Sequence, residues 1–313
     1  MTKVSIILPT KNVENYIGNL LRNVYRQDFS GEIETIILDS SDDRTPEIAK
    51  DFPVEFIRVE EDDYNYGGTR NFGAHMAKGN YLIFLSADVV IKDTQWLTKL
   101  LKPFKDSKVA GVFGRQHPKK DANPMEEFFI QYVYPPENYI LEQDGQGKIQ
   151  LKDRMFFSNT NAAIRKDIWE KIKIPEMLMS EDQEWSKRVL LSGYKIVYTS
   201  ESVVYHSHDY SLRQVFHRFF DSGATLPYVY GHEKVEYPRG NFIFQGLKYL
   251  KAECLYIVSH GEAKCLPYAM LYEFMRFFGY FLGSNHKYMP LWLKVMLCNK
   301  KNHWKRYNDI VVN

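Results

Sequence analysis

Short apolar runs alternate with amphipathic stretches over roughly the first hundred residues. The runs are rich in β-branched residues, which suits buried strands, and the stretches between them have helical spacing. The predicted strands lie at Val4–Leu8, Ile33–Leu38, Val54–Val59, Tyr81–Leu85 and Val109–Phe113. The predicted helices lie at Val13–Arg26, Thr45–Lys50, Thr69–Ala77 and Thr94–Leu101. This alternation predicts an α/β, Rossmann-like fold with a mostly parallel sheet flanked by helices.

The pattern changes twice in the rest of the chain. From Asn123 to Met155, prolines and glycines predict a long irregular segment. The chain turns helical and aromatic after Ser211, so we expect an α/β domain over residues 1–210 and a helical extension over 211–313. The elements predicted between these points are a strand near Phe157–Ile164, a helix over Asp182–Leu191, and strands at Lys195–Thr199 and Val203–Tyr205.

Composition and charge narrow the class of protein. The 313 residues are 44% hydrophobic and 26% charged, which is typical of globular proteins. The net charge of +2 gives no sign of a nucleic-acid partner. Three cysteines without metal-ligand spacing, and a short apolar run at the N-terminus, favour a reducing, cytoplasmic location. No stretch of about 18 residues is free of charge, so no transmembrane helix is predicted.

Polar segments follow four of the predicted strands. Parallel sheets bind ligands at the carboxyl ends of their strands, so these segments should meet in one crevice. Asp39 directly follows a buried strand, where its carboxylate can accept from a ribose hydroxyl or a pyrimidine N3–H. Asp42 or Asp43 has the alternative role of capping the next helix. The four segments are Pro9–Asn12, Asp39–Thr45, Asp62–Arg70 and Ser86–Asp88.

The segment Tyr64–Asn71 has two glycines ahead of a predicted helix. Gly67 and Gly68 would let the backbone come close to a ligand. The helix N-terminus favours anions, and Arg70 adds a fixed positive charge. The segment therefore predicts an anion-binding role.

Asp88 and two histidines form a candidate metal site. A carboxylate at the end of a buried strand is costly unless it is paired or bound to a metal. His206 and His208 are two residues apart, so on a strand both face the same side. Asp88, one histidine and diphosphate oxygens would complete the shell of a divalent cation, Mg2+ or Mn2+. The alternative is a pair of solvent-exposed histidines at a strand end.

Two adjacent carboxylates begin the helix predicted in the second half of the domain. Ser180 is a plausible N-cap, and Glu181 and Asp182 lie in the first turn. They can merely complement the helix dipole. Alternatively, one of them is a general base that deprotonates a sugar hydroxyl.

Taken together, these motifs resemble those of the family-2 glycosyltransferases of GT-A fold. The resemblance covers about the first 210 residues, with the motifs in the family's order. It rests on Ser5–Asn12, Asp39–Thr45, Gly67–Gly73, Gly79–Asp88 and Glu181–Asp182. Tyr66–Asn71 and Tyr205–Leu212 look most like bacterial rhamnosyltransferases of surface-polysaccharide assembly.

The resemblance implies a role for each matching residue. The nucleotide of a diphospho-sugar donor would be held by Pro9, Thr10, Asn12, Asp39, Arg70 and Ala87. Within that set, Arg70 would contact the diphosphate. Asp88 matches the last acid of the family's metal-binding DxD motif, and His206 or His208 would complete the site. Asp182 matches the catalytic base.

Two departures from the family pattern refine the expected activity. The DxD motif reads Ser86-Ala87-Asp88, so the metal would have one acid fewer. Gln214 and Arg218 stand one residue too far apart for the motif of processive synthases. The resemblance therefore implies an inverting, non-processive transferase. Its expected donor is dTDP-rhamnose, with a UDP-sugar as the alternative, and its acceptor is lipid-linked or a polysaccharide.

The C-terminal region differs in charge from the rest of the chain. Residues 242–313 carry 10 Lys/Arg and 4 Asp/Glu, a net charge of +6 against −4 elsewhere. Basic residues beside Trp292 and Trp304 suit a helix lying on an anionic membrane. The alternatives are a homodimer interface or packing on the transferase domain. We expect this region to act in one of these ways rather than to complete the donor pocket.

Two rival functions stay open on the sequence alone. A nucleotide-binding protein without catalysis would keep Asp39, Arg70 and Asp88 but would not need Asp182. A metal hydrolase built on His206, His208 and Asp209 would want a third protein ligand and a metal-bound water.

Overall fold

The computed structural model describes residues 2–151, 154–236, 242–306 and 309–312. Its strands are β1 (Lys3–Thr10), β2 (Glu32–Asp39), β3 (Glu55–Arg58), β4 (Tyr81–Leu85), β5 (Val90–Ile91), β6 (Val109–His117), β7 (Tyr139–Leu141), β8 (Ile149–Gln150), β9 (Asn161–Arg165), β10 (Glu176–Met177), β11 (Lys195–Tyr205), β12 (Val235–Glu236) and β13 (Val311–Val312).

The helices divide between the sheet and the C-terminal region. Those that accompany the sheet are α1 (Glu14–Tyr25), α2 (Thr45–Ala49), α3 (Tyr66–Met76), α4 (Trp96–Leu101), α5 (Pro124–Val133), α6 (Lys166–Lys171) and α7 (Glu181–Leu191). Those of the C-terminal region are α8 (Leu212–Tyr230), α9 (Phe242–Ser259), α10 (Leu266–Ser284), α11 (Leu291–Leu297) and α12 (Lys301–Arg306).

A nine-stranded sheet has the order β3-β2-β1-β4-β9-β6-β11-β5, with β7 also paired to β11. The first four strands are parallel, as the sequence predicts, and β6 and β11 are parallel to each other. However, β9 lies between β4 and β6 and is antiparallel to both. This mostly parallel sheet with flanking helices confirms the predicted fold class.

Apolar side chains on both faces of the sheet explain the strand sequences. On one face Ile6, Leu8 and Ile83 pack with the apolar side of α1. On the other face Ile7, Leu38 and Phe84 join the cluster that includes Trp185 of α7. Strands buried on both faces give continuous apolar runs, which is why their positions were predictable.

The segment from Asn123 to Met155 is more regular than predicted, apart from residues 152 and 153, which lie outside the described residues. It contains α5, whose first N–H groups are capped by Asn123 with Pro124 in the first turn. This N-cap and proline pair is a helix-start signal, which the nearby loop residues obscured. The two strands predicted at Lys195–Thr199 and Val203–Tyr205 are one strand, β11, with a register shift between Thr199 and Val203.

Helices α8 and α10 cross in close contact. A Cβ on Gly223 would lie 2.2 Å from the Tyr280 carbonyl oxygen, and one on Gly283 would lie 2.0 Å from that of Phe220. The glycines therefore let the two backbones touch. None of the helices in the described residues is both long and apolar enough to span a membrane.

The chain returns to the sheet domain at its C-terminus. The short strand β13 pairs antiparallel with β10, just ahead of α7. Residues 211–313 are thus mainly helical, as expected. The division at residue 210 stays a prediction.

Candidate functional site

The Asp39 carboxylate at the end of β2 is fully buried and accepts four internal hydrogen bonds. Its Oδ1 accepts from the hydroxyls of Thr10 at 2.7 Å and Ser41 at 2.6 Å. Its Oδ2 accepts from the Ser41 N–H at 3.1 Å and from the Arg58 guanidinium at 2.9 Å. A carboxylate has about four acceptor positions, so all of them are used within the protein. Asp39 thus joins the loops after β1 and β2.

Asn12 and Asp43 strengthen the same junction. Asn12 has a φ of 53°, which Asn tolerates better than most residues, and its Oδ1 accepts from the Asp42 N–H at 2.9 Å. Asp43 accepts from the N–H groups of Thr45 at 3.0 Å and Glu14 at 3.1 Å. Asp43 therefore binds the first N–H group of both α2 and α1, although it occupies the N-cap position of neither helix.

The first turn of α3 holds both glycines of the predicted anion segment. Asn65 Oδ1 accepts from the N–H groups of Gly67 and Gly68, each at 3.0 Å. A Cβ on Gly67 would lie 2.0 Å from the Pro175 carbonyl oxygen. The expectation that Gly67 leaves room for a ligand is therefore wrong, because protein backbone fills that space. The helix also begins at Tyr66, three residues before the predicted start.

Arg70 faces Glu181 at the beginning of α7. Its side chain is buried, and Nη1 donates to the Tyr66 carbonyl at 3.0 Å and to Glu181 Oε1 at 3.3 Å. Burial alone would lower the pKa of Arg70, but Glu181 and nearby tyrosines raise it, so the guanidinium stays charged. Arg70 therefore neutralises Glu181 in this structure. Its contact with a diphosphate stays a prediction.

Asp182 is half-buried, and both of its oxygens accept backbone hydrogen bonds. The Asn159 N–H donates to Oδ2 at 3.0 Å, and the Gln183 N–H donates to Oδ1 at 2.8 Å. Burial raises the pKa of Asp182 to about 7, and the negative charge of Glu181 adds to the rise. A general base works best with a pKa near the operating pH. The environment of Asp182 therefore suits proton abstraction near neutrality.

Ser180 occupies the N-cap position of α7 but does not cap it. Its φ of 65° and ψ of 30° are left-handed, and its side chain makes no capping hydrogen bond. Capping side chains need an extended backbone at that residue. The predicted capping role of Ser180 is therefore wrong, and its backbone is strained directly beside Glu181 and Asp182.

Asp88, His206 and His208 come together as a triad. Asp88 Oδ2 lies 3.5 Å from His206 Nε2 and 3.8 Å from His208 Nδ1, and one ligand atom from each residue lies within 4.8 Å of the other two. Burial, together with His206, lowers the pKa of His208 to about 3, so its ring is neutral and can donate a lone pair. One carboxylate and two imidazoles fit a divalent transition metal such as Mn2+.

A hydrogen-bonded path connects the triad with Asp182. His206 Nδ1 lies 2.8 Å from Gln116 Oε1, which leaves Nε2 free to face Asp88. Gln116 Nε2 donates to Ser158 Oγ at 3.1 Å. The next residue, Asn159, is the one whose N–H binds Asp182. The candidate metal ligands and the candidate base are therefore held through two adjacent residues, Ser158 and Asn159.

A cavity of about 750 Å³ opens beside the loops after β1 and β2. Pro9 and Thr10 lie in its wall, whereas Asp39 is buried behind the lining residue Ser40. Ala87 is buried between Ser86 and Asp88. The triad and Asp182 are not among the lining residues. The lining consists of residues 9–11, 40, 61–66, 68, 176–178, 299–303 and 306.

The C-terminal segment closes one side of this cavity. Asn302 Nδ2 donates to Asp62 Oδ1 at 2.8 Å, and the Arg306 guanidinium pairs with Asp63 at 3.3 Å. Residues 299–303 and 306 thus form part of the cavity wall, and the expectation that residues 242–313 do not complete the donor pocket stays a prediction. These contacts join residues more than 200 positions apart, so no local pattern announced them.

Arg218 of α8 interacts electrostatically with one residue of the cavity wall and with one residue of the triad. Its guanidinium lies 5.4 Å from the centre of the Tyr210 ring, and its charge acts on both Tyr66 and His208. Burial alone would lower the pKa of Arg218, but Tyr210 and Tyr66 raise it. In the sequence, Arg218 stands out only because it lies one residue too far from Gln214 for the motif of processive synthases. Similarly, Gln116 was missed, although it is a polar residue that continues a buried apolar run.

Solved structures with a similar fold are glycosyltransferases. One is the mannosyltransferase PcManGT from Pyrobaculum calidifontis in complex with GDP-Man and Mn2+, with a TM-score of 0.58, 16% identity, and coverage of 90% of this chain and 86% of that one. Another is S. aureus TarS 1-349 in complex with UDP-GlcNAc, with a TM-score of 0.52, 16% identity, and coverage of 91% of each chain. The fold of the present chain is accordingly the GT-A fold.

Two curated relatives are similar along nearly the whole chain. The O-antigen chain rhamnosyltransferase WbaN of Salmonella anatum is 30% identical over 97% of this chain and 96% of its own length. The O-antigen chain rhamnosyltransferase RfbN of Salmonella typhimurium is 29% identical over 96% of each. The sequence profile described as glycosyl transferase family 2 matches residues 5–173, more than half of the chain. The chain therefore belongs to glycosyl transferase family 2 and is a glycosyltransferase.

Proposed function

We propose that this enzyme is an inverting, non-processive rhamnosyltransferase. It moves L-rhamnose from dTDP-rhamnose to a hydroxyl of a lipid-linked or polysaccharide acceptor. The similarity to two O-antigen chain rhamnosyltransferases supports the sugar and the acceptor class. The observation that best supports this chemistry is the environment of Asp182. Its pKa is raised to about 7, and the hydrogen bonds of Asn159 and Gln116 connect it with the triad.

The transfer is a single displacement in which Asp182 is the general base. Asp182 takes the proton of the acceptor hydroxyl while the oxygen attacks the anomeric carbon of rhamnose. The bond from that carbon to the diphosphate breaks, and dTDP leaves with the electron pair. Attack from the side opposite the leaving group inverts the anomeric centre. Removal of this base should slow transfer by roughly 10²- to 10⁴-fold.

The leaving diphosphate needs positive charge where negative charge develops. Asp88, His206 and His208 would hold a divalent cation, Mg2+ or Mn2+, and a bound cation supplies Lewis-acid stabilisation of the leaving diphosphate. Arg218 lies close enough to act electrostatically on His208, and so would add a fixed positive charge from the protein itself. Arg70 would add positive charge as well, either by contacting the diphosphate directly or through its contact with Glu181.

The nucleotide would lie over the loops that follow β1 and β2. Pro9 and Thr10 face the cavity, and Asn12 and Asp39 fix the two loops to each other. Ala87 would border the nucleotide next to Asp88. Because the Asp39 oxygens are occupied by Thr10, Ser41 and Arg58, a direct contact between Asp39 and the base requires one of these bonds to open.

The exposed face of the C-terminal helices would bring the enzyme to a lipid-linked acceptor. Residues 242–313 carry a net charge of +6, which suits an anionic cytoplasmic membrane surface. The three cysteines are free thiols, in keeping with a cytoplasmic location. A homodimer is the alternative use of this face. Its large exposed apolar side chains include Leu255, Val258, Met270, Leu271, Phe274, Phe278, Phe281, Leu291, Trp292 and Met296.

A panel of nucleotide sugars tests the donor. The purified chain with Mn2+ is mixed with dTDP-rhamnose, UDP-glucose, UDP-GlcNAc or GDP-mannose, and thermal unfolding is followed. A ligand at 100 times its Kd adds about 2.7 kcal/mol of stability, so dTDP-rhamnose should raise the melting temperature most. A larger shift with a UDP-sugar would favour the alternative donor, and a larger shift with GDP-mannose would contradict a pyrimidine pocket.

Donor turnover with and without acceptor separates the rival classes. A transferase should release dTDP from dTDP-rhamnose faster when acceptor-bearing membranes are added. Binding without turnover under either condition would indicate a nucleotide-binding protein, and acceptor-independent turnover would indicate a hydrolase.

A further inference from the structure

Two ion pairs cross the cavity, and they account for four of the eight Lys, Arg, Asp and Glu residues that line it. Glu61 pairs with Lys11 at 2.5 Å, and Asp63 pairs with Arg306 at 3.3 Å. Asp62 accepts a hydrogen bond from Asn302. Glu61 and Asp63 are thus neutralised by cations, whereas Asp62 keeps its negative charge because its partner is a neutral amide. Of the three lining lysines, Lys300 and Lys301 form no ion pair with a carboxylate in the described part of the chain, and Lys300 is the one that contacts aromatic rings there.

Lys300 instead lies against two aromatic rings. Its Nζ is 4.2 Å from the centre of the Tyr66 ring and 5.3 Å from the centre of the Tyr64 ring. The two rings meet edge to face at 5.6 Å. Ring faces attract an ammonium group, but they do not replace the hydrogen bonds that it makes in water. Lys300 also forms a side-chain hydrogen bond with Tyr66, but an ammonium group has three donors, so Lys300 keeps its charge at the cavity wall with donors left for an anion.

The backbone at Lys300 is fixed by a buried carboxylate. Asp221 of α8 is fully buried, and its Oδ2 accepts from the N–H groups of Asn299 at 3.1 Å and Lys300 at 3.3 Å. Asp221 lies three residues after Arg218 on the same helix. The segment that carries Lys300 is therefore anchored to the helix that also carries Arg218.

We propose that Lys300 is a donor-binding residue that contacts the diphosphate of the nucleotide sugar from the C-terminal side of the cavity. This inference rests on the proposed function, since it takes a nucleoside diphosphate as the ligand. Tyr66 lies between the two positively charged groups, because Lys300 contacts its ring and the Arg70 Nη1 group donates to its carbonyl. A diphosphate that enters beside Tyr66 offers Lys300 charge-assisted hydrogen bonds, which are stronger than its contacts with the rings.

Binding of dTDP and of thymidine to Lys300→Met tests the proposal. The variant keeps a long apolar stem and removes the charge. Its Kd for dTDP, measured by calorimetry with Mn2+, should rise about tenfold or more. Its affinity for thymidine, which has no phosphate, should be unchanged in competition. Lys305→Met is the matched control, because Lys305 is an exposed lysine of the adjoining helix α12 and does not line the cavity.

The outcomes separate this inference from the proposed function. If the wild type binds neither dTDP nor any other nucleoside diphosphate, the proposed function fails. If the wild type binds dTDP and Lys300→Met binds it equally well, Lys300 does not contact the diphosphate. The same conclusion follows if Lys300→Met loses as much affinity for thymidine as for dTDP.

Hydrogen exchange of the wild type adds a test without mutation. Added dTDP should slow exchange in residues 299–306, and unchanged exchange there would overturn the proposal.

Discussion

Glu181 and Asp182 are adjacent in the chain, yet the structure gives them different partners. Glu181 is buried against the Arg70 guanidinium, which neutralises its charge. Asp182 has only backbone N–H donors, and its pKa is raised to about 7. A group that is neutralised by an arginine is a poor proton acceptor, whereas one with a pKa near 7 is a good one. This contrast supports the assignment of the base to Asp182.

The pH dependence of transfer should report on this pair. The base must be ionised, so the rate should rise as pH increases through about 7. Glu181→Gln removes a negative charge that raises the pKa of Asp182, so the rising limb should move to lower pH. The pH profile of kcat under saturating donor measures this. A shift of the rising limb to higher pH in Glu181→Gln would contradict the electrostatic coupling between Glu181 and Asp182.

Gln116 should matter for metal binding although it is not a ligand. It orients His206 through Nδ1, and loss of such a partner commonly weakens metal affinity 10- to 100-fold. Gln116→Leu should therefore raise the Mn2+ concentration needed for half-maximal binding by about that factor. Electron paramagnetic resonance of free Mn2+ measures it, with the exposed Gln146→Leu as the control. Equal Mn2+ affinity in all three proteins would show that Gln116 does not support the site.

The residue types of the site were predictable, but their partners were not. Asp39, Asp88 and Asp182 follow or begin elements that the apolar pattern reveals. Arg58 as the partner of Asp39, and Glu181 as the partner of Arg70, depend on which strands and helices become neighbours. These contacts depend on the tertiary structure. The sequence therefore suggested ligand-binding roles for side chains that also form ion pairs within the protein.

At the scale of elements, the contact between α8 and α10 determines where Arg218 and Asp221 lie. Gly283→Ala would place a Cβ 2.0 Å from the Phe220 carbonyl oxygen. Such overpacking typically costs about 1–3 kcal/mol, so the free energy of unfolding in urea should fall by that amount. Gly246→Ala in α9 meets open space and should instead gain about 0.5–1 kcal/mol from its higher helix propensity. Equal effects of the two substitutions would contradict the close crossing.

The strands and helices of the first hundred residues were predictable because each carries its own signal. Strands β1, β2 and β4 each contain a buried apolar run, and α1 is strongly amphipathic. The position of β9 between β4 and β6 was not predictable. The hydrophobic pattern of a strand does not show which strands it pairs with or in which direction. Helix α5 was hidden for a different reason, since its aromatic residues lie between two turn-rich segments.

At the scale of the whole molecule, the C-terminal region presents two different surfaces. Residues 299–306 meet the cavity, while α10 and α11 expose Phe281 and Trp292, with 50% and 67% of each residue accessible to solvent. The sequence predicted the exposed basic and aromatic character. It did not predict the contact with the cavity, because that contact depends on how the chain folds back.

Binding to vesicles should depend on both charge and these apolar side chains. Vesicles with anionic lipids should bind the chain at low salt, with about 1 kcal/mol from each nearby Lys or Arg, and less at high salt. Flotation with anionic and neutral vesicles measures this. Phe281→Ser with Trp292→Ser should weaken binding, whereas Ile140→Ser, an equally exposed residue of β7, should not. No binding to either lipid, with dimers in sedimentation, would assign the face to self-association.

The single-turnover rate of Asp182→Asn tests most directly whether Asp182 is the general base. Radiolabelled dTDP-rhamnose is mixed with excess enzyme and membranes from a strain that lacks this protein, at pH 7.5 with Mn2+. Asp182→Asn should bind donor like the wild type but transfer rhamnose roughly 10²- to 10⁴-fold more slowly, while Glu181→Gln should be less affected. Wild-type transfer by Asp182→Asn, or a larger loss in Glu181→Gln than in Asp182→Asn, would contradict the assignment of Asp182 as the base.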